Sequence, residues 1–312
     1  MILCCGEALI DMIPSAPQSG PQSGPEPYVP RPGGAVLNTA VALGRQGASV
    51  GMLTGLSRDM FGQQLADHLT GSHVDLSQIV WSNRPTTLAF VHLRDGQASY
   101  VFYDENSAGR MLNIADIPPL PQKISTLFFG GISLACEPAA ESYMALLARE
   151  GTDRVVMIDP NIRVGFIKNE DRYRQRLTRM MGQSDIVKVS DEDLNWLFPR
   201  SAALEDKVQQ IVKMGVTIVV LTRGEKGATG FMSNGSQVHV PAAQAEVADT
   251  VGAGDTFNAG VLAQFSAQGC LRKDQLKSLA PDDLQQALER GARAARVTVS
   301  RIGADPPWAN EL

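Results

Sequence analysis

The sequence predicts an α/β fold, in which a mostly parallel central sheet is covered by helices on both faces and a smaller sheet is set apart. Three observations predict it. From Thr126 to Thr222, strand-like and helix-like runs alternate, the rhythm of a parallel sheet with crossover helices. Thr87 to Leu93 and Ala98 to Tyr103 are β-branched or aromatic runs joined by Arg94-Asp95-Gly96-Gln97, a hairpin that breaks the rhythm. The stretch Asp249 to Gly260, DTVGAGDTFNAG, switches from a β-rich run ending near Val247 into an apolar helical run, Ala253 to Gln268. With 312 residues and 44% apolar content, the chain suffices for one domain over 1–312 with an appendage.

Taken in order, Met1 to Ile13 starts as an apolar strand and turns polar at Gly6, Glu7 and Asp11, so it should leave the central sheet for the smaller one. A tandem QSGP (Gln18 to Pro21, Gln22 to Pro25) then reads as a flexible excursion. Arg31-Pro32-Gly33-Gly34 opens a helix, Ala35 to Arg45, followed by strand Val50 to Thr54 and helix Asp59 to Leu69. After the hairpin come strand Thr126 to Gly130, helix Pro138 to Arg149, strand Arg154 to Asp159 and helix Asp171 to Met181. Strand Asp185 to Val189, helices Glu192 to Phe198 and Ala203 to Met214, and strand Val216 to Thr222 complete the alternation. Gly227 to Met232 and Gln237 to Pro241 add an antiparallel edge, and Pro281 to Val299 forms the last helix. The small sheet, a lid, should come from about residues 11–34 and 84–112.

Composition narrows the function. A net charge of −5 disfavours nucleic acid as a partner. No apolar run approaches the roughly 18 residues of a membrane span, and no basic region precedes the first apolar run. The four cysteines (Cys4, Cys5, Cys136, Cys270) lack zinc spacing and a secreted framework, so a cytoplasmic, reduced protein is expected. The four histidines show no metal-ligand spacing either.

The chemistry concentrates at the start of the Ala253 helix. Gly252 and Gly254 are expected to take positive φ and aim N–H groups at one point, where the helix dipole favours an anion such as phosphate. Asp255, in the first turn, reads either as a helix cap or as a general base beside a phosphate cradle. The Walker pattern and the Rossmann Gly-x-Gly-x-x-Gly are both absent. Asn38, one helical turn after Gly34, either faces a small ligand or bonds a neighbouring loop. Arg163, in Asp159-Pro160-Asn161-Ile162-Arg163 beyond a strand end, suits forked bonding to hydroxyls or phosphate. Phe102 and Tyr103 either cover a ligand's face or form the small sheet's own core.

DTVGAGDTFNAG resembles the signature of the ribokinase-like (PfkB) carbohydrate kinases, and GGAVLNTAVALGRQG resembles the family's first signature. The likeness runs from GEALID to the final RIGA, and DPNIR, FFGGISLACEP and FYDENSAGRML look most like bacterial fructokinases. It implies a three-layer α/β/α sandwich with a β lid, and an ATP-dependent sugar kinase. Asp255 would be the base, with the N–H groups of Gly252, Ala253 and Gly254 holding the phosphoryl charge. Asp11, Gly33, Gly34, Asn38, Phe102 and Arg163 would hold the sugar. Lys188, Thr222, Gly224, Gly227, Gly252 and Gly254 would hold the nucleotide. The family often places Asn-x-x-Glu after Lys188 to orient water on Mg²⁺; here Ser190 and Asp193 stand there, in a run of acidic oxygens. Asp249 and Val251 match positions whose carbonyls help hold K⁺ in relatives. Fructose leads as substrate, 2-keto-3-deoxygluconate follows, and ribose and nucleosides trail. A catalytically silent sugar- or nucleotide-binding regulator is the rival from another class, and a dehydrogenase a further one. A homodimer through the lid is a further expectation.

Overall fold

The computed structural model describes residues 1–15, 27–94, 97–200 and 203–312, and of residues 92–100 the main chain alone. The tandem QSGP and the tip of the 94–97 turn lie outside the described residues. In chain order the first elements are β1 (Ile2–Cys5), β2 (Leu9–Pro14), β3 (Tyr28–Gly33), α1 (Ala35–Arg45), β4 (Val50–Leu53), β5 (Gly55–Ser57) and α2 (Met60–Gly71). Next come β6 (Val80–Ser82), β7 (Leu88–Arg94), β8 (Gln97–Tyr103), β9 (Thr126–Gly130), α3 (Ala139–Glu150), β10 (Val155–Asp159) and α4 (Glu170–Met181). Then follow β11 (Ile186–Ser190), α5 (Asp191–Leu197), α6 (Leu204–Val212), β12 (Ile218–Thr222), β13 (Ala228–Met232) and β14 (Gln237–Val240). The chain ends with α7 (Ala253–Ala267), α8 (Lys273–Lys277) and α9 (Pro281–Val299).

The large sheet has eight strands in the order β14-β13-β12-β11-β10-β9-β1-β4, parallel from β4 to β12 and antiparallel through β13 and β14. Period-two alternation splits each strand between two cores. Ile2 and Cys4 of β1 join the helices α1, α2, α7 and α9 on one face; Leu3 and Cys5 join α3, α4, α5 and α6 on the other. The adjacent cysteines thus serve opposite layers, both fully buried and both free.

A second sheet, β3-β2-β7-β8, stands apart, with β2 parallel to β7 and the outer pairs antiparallel. Its pairing puts Arg31, Asp11, Ala89 and Phe102 on one rung, hence on one face. β1 and β2 are separated only by residues 6–8, so the chain steps directly from the large sheet into the small one. Residues 31–33, expected as the opening of a helix, instead end strand β3. The run expected to stay β-rich to Val247 ends at Val240, the end of an edge strand, and 241–248 are irregular.

The order around β1 positions the site. The chain places β4 on one side of β1 and later returns with β9 on the other. Neighbouring strands therefore send their connections apart at β1/β9, which opens a crevice beyond their carboxyl ends.

Candidate active site

That crevice is a cavity of about 920 Å³ between the large and small sheets. It gathers Asp11, Gly34, Asn38, Phe102, Arg163, Lys188, Val251, Gly252, Gly254 and Asp255 into its wall. These residues come from six segments spread over the chain: strands β2, β8 and β11, the openings of α1 and α7, and the loop after β10.

The floor is the start of α7. Gly252, its N-cap, has φ 76° and contributes no side-chain cap. A Cβ there would be strained in the left-handed region and would meet the Ala304 Cβ at 2.7 Å. Asp249 ties the loop down: Oδ1 accepts from the Val251 N–H at 3.0 Å and Oδ2 from the Gly303 N–H at 2.9 Å. The first i→i−4 bond of the helix runs from the Thr256 N–H to Gly252. The N–H groups of Gly254 and Asp255 precede it, at the positive end of the helix dipole. Gly254 itself is helical, not positive in φ as expected; what its missing side chain supplies is room, since a Cβ would stand 3.4 Å from the Lys188 Nζ.

Asp255 is buried, and its Oδ2 accepts from the Asn38 Nδ2 at 2.9 Å. It does not cap its own helix, whose N-cap is bare. Burial pushes its carboxyl up to about 7; the Asn38 bond opposes this, Asp159 and Glu7 add to it, and Lys188 works against it. Asn38 thus joins the cavity to the carboxylate, donating its amide to Asp255 from the second turn of α1.

Lys188 projects from β11 and is buried. Its Nζ donates to Asp159 Oδ2 at 3.0 Å, and the same oxygen accepts from Asn258 Nδ2 at 2.7 Å. Burial works against its charge, but Asp159, Asp193 and Asp255 outweigh it and hold its pKa above the usual value. Sequence reasoning points to Asp159 only as a polar strand-end residue in the company of Arg163, and not to Asn258. Asn258 lies one turn past Asp255, and that i, i+3 spacing within DTFNAG was the available signal.

Glu7 was also missed as a site residue. It follows β1, and its oxygens accept from the Ala35 N–H at 3.0 Å and the Ser133 N–H at 3.2 Å, linking the start of α1 to the loop after β9. A carboxylate just beyond the first strand was the clue. Gly33 lies outside the cavity wall but beside it: a Cβ there would stand 2.1 Å from Asp11 Oδ2, so the placement of the Asp11 carboxylate needs this glycine. Burial pushes Asp11 up to about 6. On the same small-sheet face, Phe102 packs edge-on against Phe166 of the main body, with centroids 4.3 Å apart.

Other expected residues stand elsewhere. Arg163 lines the cavity while its Nη1 donates to the carbonyl of Ile162 at 3.1 Å. Thr222, Gly224 and Gly227 sit at the end of β12, one strand beyond Lys188 and outside the cavity. Asp193, expected beside the water on Mg²⁺, also has a structural task. Ser190 and Asp193 form a capping box on α5, and Asp193 Oδ1 also accepts from the Ile162 N–H at 2.9 Å. Both its oxygens are therefore engaged by main-chain donors. Among the described residues, no three His, Cys, Asp or Glu side chains converge as a metal cage. The donor set fits a hydrated Mg²⁺ carried on phosphates, the usual habit of that ion.

A desolvated carboxylate facing a bare helix start, with a buried ammonium alongside, suits transfer of a phosphoryl group to an alcohol. Comparison with known proteins gives that class a family. The chain belongs to the pfkB family of carbohydrate kinases, whose model matches residues 1–311. It is 45% identical over 311 residues to a fructokinase of Rhizobium leguminosarum bv. trifolii, covering 97% of this chain and 93% of that one. A crystal structure of fructokinase with bound ATP from Xylella fastidiosa superposes with a TM-score of 0.86 at 27% identity, over 100% of this chain and 94% of that one. A fructokinase double mutant from Vibrio cholerae O395, bound to fructose, ADP and potassium ion, gives a TM-score of 0.84 at 27% identity, over 97% and 93%. The fold is that of the ribokinase-like sugar kinases, as the alternation and the DTVGAGDTFNAG stretch predicted.

Proposed function

We propose that the protein is an ATP-dependent fructokinase, transferring the γ-phosphoryl group of ATP to a primary hydroxyl of fructose. The observation that carries the mechanism is Asp255, buried and pushed up to about 7 directly beside the bare N–H groups of Gly254 and its own. Fructose as the sugar is supported by the fructokinase relatives.

Asp11, Gly33, Gly34, Asn38 and Arg163 hold the sugar hydroxyls, with Phe102 against the ring. Asp255 accepts the hydroxyl proton as the new phosphorus–oxygen bond forms and the bond to the ADP oxygen breaks in line. The N–H groups of Gly252, Gly254 and Asp255 take the developing phosphoryl charge, that of Ala253 being turned to the Thr250 carbonyl at 3.3 Å, and Lys188 neutralises part of it. From there the nucleotide extends over the strand ends of β11 and β12, where Thr222, Gly224 and Gly227 turn the chain. Mg²⁺ entering with the nucleotide would supply further charge neutralisation. A K⁺ ion would rest on carbonyls of the loop that Asp249 fixes, at Asp249 and Val251, and would stiffen the anion hole from behind.

The deciding experiment assays ATP and Mg²⁺ with fructose, 2-keto-3-deoxygluconate, ribose and a nucleoside. Fructose should give the highest kcat/KM, and a better rate with any other sugar overturns the assignment. No turnover with any sugar would favour the silent regulator.

Two smaller points belong to the same reading. No helix among the described residues is long and apolar enough to cross a membrane, and all four cysteines are free, which suits the cytoplasm. The edge strand β8 carries the exposed Val101 and Tyr103, an apolar edge that suits a lid-to-lid homodimer. A monomer by light scattering at assay concentration would rule the dimer out.

A further inference from the structure

The wall of the cavity contains an ion pair that phosphoryl transfer leaves unused. Asp104 stands just past the end of β8, two residues after Phe102, and Arg110 closes the turn that follows. Arg110 Nη1 donates to Asp104 Oδ2 at 2.7 Å, and its Nε donates to the Glu137 carbonyl at 3.0 Å. Both side chains line the cavity yet are nearly buried, 15% and 9% exposed for Arg110 and Asp104. The turn is held from several sides. Ser107 Oγ accepts from the Arg110 N–H at 3.3 Å and from the Thr87 hydroxyl at 2.8 Å, while the Ala139 N–H donates to the Arg110 carbonyl at 3.1 Å.

A planar guanidinium in the wall of a sugar cavity is the natural ligand for a substrate carboxylate. Here the guanidinium is already engaged through Nη1 and Nε before any ligand arrives, in a turn pinned by the bonds just described. The partner that neutralises it, Asp104, sits in the same wall as Asp11 and Glu105. A carboxylate entering this part of the cavity therefore meets like charges beside a cation that is already paired, a repulsive element that a neutral sugar does not feel. Arg163 and Lys168 also line the cavity, but both are exposed, so water screens their attraction.

We propose that the Asp104–Arg110 pair is a specificity-determining element that reserves the cavity for neutral sugars and rejects sugar acids. This rests on reading the cavity as the sugar site.

The test compares kcat/KM for 2-keto-3-deoxygluconate with that for fructose in wild type, Asp104→Asn and Arg110→Gln. Measuring both sugars on one preparation cancels any loss of folded protein from the ratio. Asp104→Asn frees the guanidinium and should raise the acid-to-neutral ratio by about tenfold or more, whereas Arg110→Gln, which removes the cation, should not. A rise below about threefold in Asp104→Asn overturns the proposal. So does an equal rise in Arg110→Gln, because a loosened wall rather than a freed cation would then explain it. If Asp104→Asn does not fold, the wild type still decides: a kcat/KM for 2-keto-3-deoxygluconate equal to that for fructose overturns the proposal. Should the wild type turn over no neutral sugar, the functional reading falls by itself. The pair is then judged by calorimetry with gluconate, where Asp104→Asn, but not Arg110→Gln, must gain affinity over wild type.

Discussion

At the scale of single residues, Asp255 controls the predicted pH behaviour. Its folded pKa is raised to about 7 chiefly by burial, so the base form is gained as pH rises through that value. With chemistry rate-limiting, kcat should climb between about pH 6 and 8. A kcat flat across that range in wild type would remove Asp255 as the base. Asp255→Asn should keep nucleotide affinity but lower kcat by roughly 10²–10⁴-fold; retention of more than about a tenth of the activity contradicts the role. Stability should move the opposite way. A carboxyl whose folded pKa is raised contributes stability that is fully present below its unfolded value and lost as pH rises through the folded one. Asp255→Asn keeps an acceptor for the Asn38 amide and removes the buried charge, so its Tm advantage over wild type should be larger at pH 8 than at pH 5. The sequence exposed Asp255 because it stood in a motif with two glycines. Glu7 and Asn258 stayed hidden, because their importance comes from pairing across segments up to 126 residues apart, which no local pattern records.

At the scale of elements, legibility followed chemistry that acts locally. Helices α1 and α9 were bounded to the residue, since paired glycines precede one and a proline opens the other. Strand β3 was missed because Pro30 and Pro32 mask it. It is an edge strand, and an edge strand tolerates residues that donate no ladder bond. The acidic run after β11 carries a second role that the sequence did not show: Ser190-x-x-Asp193 is a capping box as well as an acidic patch. That difference can be measured. Ser190→Ala should cost about 1 kcal/mol in stability while leaving the Mg²⁺ dependence of kcat unchanged. A marked rise in the Mg²⁺ concentration required, with stability intact, would return these residues to the metal. Arg163, which leaves a short strand end rather than a helix, tests the sugar side. Arg163→Lys keeps the charge but loses the planar fork, so fructose KM should rise with ATP KM little changed. An effect confined to ATP would move Arg163 to the nucleotide.

At the scale of the whole molecule, the site is divided between two sheets. Asp11 and Phe102 belong to the small sheet, while Asn38, Lys188 and Asp255 belong to the large body. Only residues 6–8 join β1 to β2, and Gly34 alone joins β3 to α1, so both connections from the large body into β2 and β3 are short. The edge-on contact of Phe102 with Phe166 is one place where the two bodies already touch. A sugar gripped from both sides binds the closed arrangement more tightly than an open one, and must shift the population toward closure. Closure also excludes water, which would otherwise compete with the sugar as acceptor of the phosphoryl group. Hydrogen exchange with and without saturating fructose tests this. Amides of β3, of α1 up to Asn38 and of β7 and β8 should gain protection, whereas β10, central and fully buried, should be protected in both states. If fructose is turned over and neither small-sheet segment gains protection, the two bodies are already locked together before the sugar arrives. Phe102 against Phe166 would then be a fixed wall, and water would have to be kept out by the shape of the preformed cavity alone.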